Sequence, residues 1–262
     1  MRKRQCKNSR FDFISMKRYI AKSKSSAIVL CSGGIDSVVT AYYAKKKLKY
    51  NRIIILFFDY GQKALNQERA CSKRCAKNLG AKFMEIELKW LNEISSSLIN
   101  KKGRIKQLKK MDLKDTKKES QKWYVPCRNT IFLAHALALA ESLFMKEKKA
   151  YDIFVGFKCE GREAYPDTTH EFVEEMNRLS RISCAKPFRI IAPLIKKDKE
   201  DIILLGEKLG VNFRNTISCY APKRKNGLEH CGYCLACRLR QAGFYWADIK
   251  DETRYENKLQ KN

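Results

Sequence analysis

A stretch with two glycines, two serines and an aspartate, SGGIDS at residues 32–37, directly follows an apolar run at residues 27–30. Adjacent glycines let a backbone turn sharply and approach a ligand closely, because neither carries a Cβ atom. Serines and an acid at a helix start cap free N–H groups, and this end of a helix attracts anions. The stretch has neither the GK[ST] ending of a kinase-type phosphate loop nor a GxGxxG pattern. It predicts an anion-binding turn between a buried strand and a helix, with a purely structural turn as the alternative.

Four cysteines crowd together near the end of the sequence in the pattern C-x11-C-x2-C-x2-C. They are Cys219, Cys231, Cys234 and Cys237. Two overlapping CxxC steps let thiolates converge from a tight knuckle, and four thiolates suit a closed structural Zn²⁺ site. His230 would be a fifth candidate where four suffice. A redox CxxC pair and an iron–sulfur cluster are the alternatives.

The composition limits the classes of protein that fit this chain. With 262 residues, 44% of them hydrophobic, the chain can bury one substantial core. Polar residues interrupt the apolar stretch at residues 131–145, so that it is too polar to span a bilayer, and no apolar signal segment follows the basic N-terminus. We therefore expect a cytoplasmic protein with no membrane partner. Eleven cysteines in that compartment favour metal or thiol chemistry over disulfides.

The formal net charge of +27 favours acidic partners such as nucleotides, pyrophosphate or tRNA. A general lysine bias is the alternative, because the 55 lysines and arginines are scattered and aromatic residues do not interleave with them. The charge by itself therefore does not establish that the protein binds nucleic acid.

Strand-like and helix-like segments alternate along most of the chain. Apolar runs predict strands at residues 27–30, 52–58, 82–88, 151–157 and 189–191. Helical patterns, two of them stopped by glycine, predict helices at residues 37–48, 64–79, 129–148, 171–182 and 197–209. This alternation predicts an α/β fold with a doubly wound parallel sheet covered on both faces. Ligands in such folds bind beyond the carboxyl ends of the strands, where the SGGIDS turn is expected.

The SGGIDS stretch resembles the loop of the ATP pyrophosphatase (PP-loop) superfamily, whose members adenylate a carboxylate or carbonyl and release pyrophosphate. The resemblance implies an adenine nucleotide alpha hydrolase-like fold and binding of ATP with Mg²⁺, which Asp36 would help to hold. The ATP-binding residues that it implies are Leu30, Cys31, Ser32, Gly33, Gly34, Ile35, Asp36, Ser37, Arg128 and Asn129. Fixed N–H dipoles, Mg²⁺ and lysines would stabilise the charge that develops on the phosphates.

Further motifs follow in order along the chain. They are DYGQ at residues 59–62, VPCRNT at 125–130, YPD at 165–167, PLI at 193–195 with Lys199 after it, SCY at 218–220, and the cysteine pattern. With the loop, they resemble the 7-cyano-7-deazaguanine synthase (QueC) family over residues 27–244. Members of that family are carbon–nitrogen ligases that convert 7-carboxy-7-deazaguanine and ammonia to the nitrile through an adenylate and an amide. The product is a precursor of queuosine or archaeosine in tRNA.

The resemblance assigns catalytic roles to Asp36, Arg128 and Lys199, of which Lys199 would contact phosphate. The substrate-binding residues that it implies are Tyr60, Gln62, Tyr165, Asp167 and Tyr220. Each role has a plainer alternative, because Arg128 could form a surface ion pair, Lys199 could be solvated, and Pro-Asp sequences start turns well. The implied partners are a deazapurine acid and ammonia rather than nucleic acid, and the oligomeric state, with a homodimer as one option, stays open.

Composition and the resemblance together suggest how the chain is divided. A basic lead-in covers residues 1–24, a PP-loop ATP-binding domain 25–210, a zinc segment with the four clustered cysteines 211–246 and a tail 247–262. Residues 100–121 are rich in lysine and poor in apolar side chains, which predicts a mobile surface loop beside the site.

One run departs from the family pattern, which has an aspartate and an aromatic residue shortly before the YPD motif. Residues 161–164 are Gly-Arg-Glu-Ala here, so that the identity of the acid substrate stays open, with Glu160 or Glu163 as substitutes for the missing aspartate.

Two other functions compete with the synthase: a PP-loop tRNA-modifying enzyme of the thiolase type, and a zinc-knuckle RNA-binding protein. The first would need a catalytic cysteine pair, and the intact Ser32, Asp36, Ser37 and Arg128 speak against the second.

Overall fold

A five-stranded parallel sheet forms the centre of the structure, a computed structural model that describes residues 26–158, 165–220, 222 and 227–256. The strands are β1 (Ser26–Leu30), β2 (Arg52–Asp59), β3 (Lys82–Glu87), β4 (Tyr151–Phe154) and β5 (Ile190–Ile191). Their order in the sheet is β3-β2-β1-β4-β5, and every neighbouring pair is parallel. The predicted lead-in at residues 1–24, the divergent run at 161–164 and the end of the predicted tail lie outside the described residues.

Helices connect the strands and cover the sheet. They are α1 (Ile35–Tyr42), α2 (Leu65–Leu79), α3 (Trp90–Ile94), α4 (Lys117–Gln121), α5 (Arg128–Glu147), α6 (His170–Ser183), α7 (Lys199–Lys208) and α8 (Leu235–Trp246). Short 3-10 helices occur at Lys110–Lys114, Pro166–Thr168 and Phe213–Asn215. Within the described ranges, none of the helices has the length and apolar character that crossing a membrane requires.

The side chains of β1 show that the sheet is doubly wound. Ala27 and Val29 pack with apolar residues of α1, α2, α7 and α8 on one face. Ile28, whose side chain points the opposite way, packs with α5 and α6 on the other face. Because both faces are covered, β1 and β2 are continuous apolar runs rather than alternating ones. The predicted α/β fold is confirmed.

The segment at residues 100–121, which the sequence predicts to be a mobile surface loop, contains a 3-10 helix and the short helix α4. The few apolar residues of this segment anchor it to the rest of the protein. Leu108, one of them, is only 2% exposed. The Leu108 N–H donates to the Tyr233 carbonyl at 3.2 Å, and its carbonyl accepts from Arg238 Nε at 2.7 Å. The segment is thereby fastened to the cysteine knuckle and to α8.

Candidate functional site

A cavity of about 330 Å³ opens at the carboxyl edge of the sheet, where β1, β2 and β4 end and α1, α5 and α7 begin. This volume is in the range of small-molecule sites. The predicted residues in its lining are Leu30, Cys31, Ser32, Gly34, Ile35, Asp36, Ser37, Tyr60, Gln62, Arg128, Asn129, Tyr165, Asp167, Lys199 and Tyr220. Gly33 and the four clustered cysteines lie outside the lining.

The turn after β1 is wedged between α2 and the end of β4. Gly33 has a φ of +78°, and a Cβ atom there would lie 2.6 Å from Cys71 Cβ. On the other side, a Cβ atom on Gly156 would lie 2.8 Å from the backbone of Asp36 and Ser37. Glycine is required at both positions because backbone approaches backbone. Gly33 therefore shapes the loop without lining the cavity.

The first turn of α1 faces the cavity. Gly34 is the N-cap, so the N–H groups of the first turn have no acceptor within the helix. Ser37 Oγ donates to the Gly34 carbonyl at 3.1 Å and lies 3.4 Å from Ser32 Oγ. These N–H groups and hydroxyls form an arrangement suited to a phosphate group.

Asp36 and Lys199 form an ion pair across the cavity. Lys199 Nζ lies 2.7 Å from each carboxylate oxygen. The side chains are 28% and 18% exposed, respectively, so the pair is only partly screened by water. A Mg²⁺ ion at Asp36 would compete with this ammonium group for the carboxylate. Two of the three predicted catalytic residues, Asp36 and Lys199, therefore contact each other directly.

Arg128 lies at the start of α5 over an aromatic wall. Its guanidinium carbon is 5.4 Å from the Tyr60 ring centre and 5.8 Å from that of Phe132, and Nη1 donates to the Tyr60 hydroxyl at 3.2 Å. Its Nε is buried and has no hydrogen-bond partner in the described part of the chain. No carboxylate among the described residues forms an ion pair with Arg128, in contrast to the surface ion pair that was the alternative prediction. An unpaired guanidinium of this kind suits an anionic ligand.

Both polar side-chain atoms of Gln62 form hydrogen bonds within the protein. Nε2 donates to the Phe58 carbonyl and to Glu68 Oε2, each at 3.0 Å, and Oε1 accepts from the Tyr60 N–H at 2.9 Å. Although it lines the cavity, Gln62 is 4% exposed. Its contacts hold the turn after β2 and fix the carboxyl group of Glu68.

Asn129 and Asp167 join the start of α5 to the YPD turn. Asp167 Oδ2 accepts from the Asn129 backbone N–H, and Asn129 Nδ2 donates to the Asp167 carbonyl, both at 3.1 Å. Asp167 thus caps α5 with one oxygen. Tyr165 is anchored as well, since its hydroxyl donates to the Ser120 carbonyl at 3.1 Å.

The aromatic rings of Trp123 and Tyr220 lie against each other in the wall of the cavity. Tyr220 lies against Trp123, with ring centres 4.6 Å apart and planes inclined by 34°. Trp123 is 1% exposed, and its Nε1 donates to Glu119 Oε1 at 3.4 Å. Such a wall suits a flat heterocycle.

The four clustered cysteines form a buried group whose Sγ atoms all lie within 4.8 Å of one another. The N–H of Cys231 donates to Cys219 Sγ and that of Cys234 to Cys231 Sγ, each at 3.4 Å. Both ring nitrogens of His230 are engaged elsewhere, with the Ser218 N–H and the Leu228 carbonyl. Four converging sulfurs fit a metal ion.

Arg240 of α8 connects the cysteine cluster to the cavity. It is 1% exposed and donates to Thr216 Oγ1 at 2.9 Å and to Ser218 Oγ at 3.1 Å. Between these residues, the Ile217 N–H donates to the Gly33 carbonyl at 2.9 Å. The helix that carries Cys237 therefore supports the turn after β1.

Sequence reasoning missed Glu68, Trp123 and Arg240 as lining residues. Trp123 lies two residues before the VPCRNT motif, and Glu68 lies six residues after Gln62. Their proximity to these motifs could have indicated that both line the site. Arg240 offers no signal, because it is one basic residue on a helix in a lysine-rich chain.

Most of the chain is similar to one known protein family and to individual members of it. Residues 26–248 match the family model described as "Queuosine biosynthesis protein QueC". A protein named 7-cyano-7-deazaguanine synthase from Nitratiruptor sp. is 38% identical over 88% of this chain and 99% of its own. One of the same name from Methanothermobacter thermautotrophicus is 32% identical over 87% of this chain and 98% of its own.

Likeness to solved structures is weak. The NMN synthetase of Francisella tularensis is 16% identical, with a TM-score of 0.43 over 91% of this chain and 82% of that one. Because the region matched by the family model contains the entire sheet, the cavity and the four cysteines, the chain belongs to the QueC family of queuosine biosynthesis enzymes.

Proposed function

We propose that the protein is an ATP-dependent carbon–nitrogen ligase that converts 7-carboxy-7-deazaguanine and ammonia to 7-cyano-7-deazaguanine. The observation that carries the proposal is that the guanidinium of Arg128, which forms no ion pair within the described residues, lines the same cavity as the first turn of α1. One group suits a carboxylate or phosphate of the reactants, and the other suits the phosphates of ATP. Family membership supports the same reaction.

A carboxylate is a poor electrophile, so its coupling to AMP supplies a leaving group. The N–H groups of the first turn of α1, with Ser32 and Ser37, would hold the pyrophosphate end of ATP. Bound Mg²⁺ would neutralise charge on the phosphates. Lys199 would exchange its contact with Asp36 for phosphate oxygens, which frees the Asp36 carboxylate for the cation.

The deazapurine would lie between the aromatic residues of the cavity. Trp123 and Tyr220 offer it a flat face. Asp167 keeps its Oδ1 for the guanine-like N–H edge, since the bond to Asn129 uses Oδ2. Arg128 would orient the carboxylate towards ATP. Ammonia would convert the adenylate to the amide, and a second activation would dehydrate the amide.

The cysteine cluster would hold a structural Zn²⁺ ion. A closed site with four sulfur ligands has no open position for a substrate. Its task would be to fasten residues 217–220 beside the turn after β1. We also propose the division into an ATP-binding domain and a short zinc segment, although Phe244 of α8 packs in the same core as Val29 of β1.

The proposal is tested by incubating the purified protein with MgATP, ammonium and 7-carboxy-7-deazaguanine and analysing the products by mass spectrometry. We expect the nitrile, AMP and pyrophosphate, with the amide as an earlier species. Added tRNA should be neither consumed nor required. Product that forms only within tRNA would replace this proposal with the tRNA-modifying alternative.

A salt series gives an independent control on the role of the basic surface. Binding of tRNA to scattered lysines would weaken steeply with salt, because it depends on the release of many counterions. Turnover of the free base should fall far less, since charges inside a cavity are less screened.

A further inference from the structure

The cavity holds an acidic group that neither the nucleotide nor the deazapurine uses in the function proposed above. Three described acids line the cavity. Asp36 is bound by Lys199 through both oxygens, and Asp167 caps α5. Glu68, in the first turn of α2, receives one hydrogen bond, from Gln62 to Oε2 at 3.0 Å. Its Oε1 has no partner in the described part of the chain and is left for a ligand.

Glu68 lies beside the turn after β1, and the charge of Arg128 acts on its carboxyl group. Its backbone carbonyl packs against Gly33, next to the phosphate-binding turn. The titratable groups that act on its carboxyl group are Arg128 of α5, Tyr60 after β2 and Cys71 on its own helix. Arg128 is the residue assigned to the substrate carboxylate. A nucleophile held at Oε1 would therefore be close to the activated carbon.

We infer that Glu68 binds the ammonium ion and removes its proton, and so delivers ammonia to the adenylate. This inference rests on the proposed function, which needs a nitrogen nucleophile. At neutral pH ammonia is mainly ammonium, which has no lone pair for attack. A carboxylate provides both an attraction for the cation and an acceptor for its proton.

Proton transfer to Glu68 precedes attack on the adenylate. An N–H bond of ammonium breaks, its electron pair stays on nitrogen, and the proton passes to Glu68 Oε1. The nitrogen lone pair forms the C–N bond, and the bond from the acyl carbon to the phosphate oxygen breaks with its electrons leaving on AMP. The added nitrogen then releases a second proton to solvent, and Glu68 returns its own proton to solvent before the next turnover.

The acidity of the group fits this role. Burial raises the pKa of Glu68 to about 7, against the opposing effects of the Gln62 hydrogen bond and the charge of Arg128. The ionised form that accepts a proton is thus lost as the pH falls below about 7 and is present above it. Tyr60, whose pKa burial raises to about 12, stays a neutral phenol over this range.

The test compares Glu68→Gln with the wild type in three assays. Exchange of pyrophosphate into ATP with the acid substrate reports adenylation without any nitrogen nucleophile, and it should be unchanged. Amide formation from ammonium should fall by about 100-fold or more. Hydroxylamine, which is uncharged at neutral pH, needs no base before it attacks and should form hydroxamate at the wild-type rate. Glu93→Gln, an exposed glutamate of α3 outside the cavity, is the matched control.

A pH series adds a second readout. With ammonium, the wild-type kcat/KM should rise to about pH 7 and then level off, because Glu68 becomes ionised there. The variant should instead follow the free ammonia concentration upward across the whole series. Ammonium-dependent turnover near the wild-type value in Glu68→Gln, or an equal loss of pyrophosphate exchange, would overturn the inference alone. A wild-type protein without acid-dependent exchange would overturn the proposed function and this inference with it.

Discussion

The carboxylate of Asp36 can have two roles at this position: it can hold Lys199, and it can also bind Mg²⁺. If Asp36 served only to hold Lys199, its loss would free an ammonium group that could still reach phosphate. If it also holds Mg²⁺, its loss removes the cation from the place where phosphate charge develops. The structure contains the first contact, and the proposed reaction requires the second.

We expect Asp36→Asn to fold normally and to lower pyrophosphate release by about 100-fold or more, because an amide is a poor Mg²⁺ ligand. Circular dichroism and a pyrophosphate-release assay check both parts. Asp201→Asn, an exposed aspartate on the helix of Lys199, is the control. Turnover near the wild-type value in Asp36→Asn would remove this carboxylate from the reaction.

At the residue scale, side chains with a chemical motif around them could be predicted, and isolated ones could not. SGGIDS and VPCRNT are short runs whose residue types already suggest a ligand, and the structure brings them to one cavity. The pairing of Asp36 with Lys199 joins residues 163 positions apart, which no local pattern indicates. The raised pKa of Glu68 could not be predicted from the sequence, because burial in the folded protein causes it.

Among the elements, α7 and α8 are in unusually close contact beside the site. A Cβ atom on Gly243 would lie 2.4 Å from Lys199 Cγ and 2.9 Å from Ile203 Cδ1. Glycine in the middle of α8 lowers the helix propensity, so its presence there indicates a packing requirement. The stem of Lys199 occupies the space that a side chain on α8 would otherwise fill.

Gly243→Ala should therefore displace Lys199 and raise the KM for ATP by about tenfold or more. We also expect a loss of about 1–3 kcal/mol in the free energy of unfolding, through overpacking. Steady-state kinetics and urea unfolding measure the two effects.

Gly206→Ala, on the helix of Lys199, is the matched control, because a Cβ atom there would lie 2.6 Å from Phe213 Cζ and 2.8 Å from Val39 Cγ2, with no atom of Lys199 among its three nearest neighbours. It should destabilise the protein without changing the KM for ATP. An equal change in KM for both variants would contradict a specific effect on Lys199.

The elements themselves could largely be predicted, because apolar runs and glycine stops mark them. Gly80, with a φ of +59°, ends α2 at the predicted place. The helices within residues 100–121 could not be predicted, since they depend on contacts of Leu108 with residues more than a hundred positions away. The period of the apolar residues indicates which face an element buries. Short segments have too few residues for such a period to be recognised.

For the molecule as a whole, the cysteine cluster should couple metal content to stability and activity. We expect about one Zn²⁺ per chain, and we expect Cys234→Ser to lose the metal and to lower the melting temperature by about 5 °C or more. Elemental analysis and thermal unfolding measure this, and Cys184→Ser, a free and only partly buried cysteine, serves as control. A metal-free protein with an unchanged melting temperature and full activity would contradict the proposal.

The bond between the Ile217 N–H and the Gly33 carbonyl has a consequence for the order in which the protein is made. Translation proceeds from the N-terminus, so the ribosome completes all five strands by residue 191. A nascent chain of that length contains the SGGIDS turn but neither Lys199 nor the segment that holds Gly33. The helix that confines Lys199 is synthesised later still. The proposed ATP site therefore becomes complete only after translation of α8, and incomplete translation products lack residues of that site even where their sheet has formed.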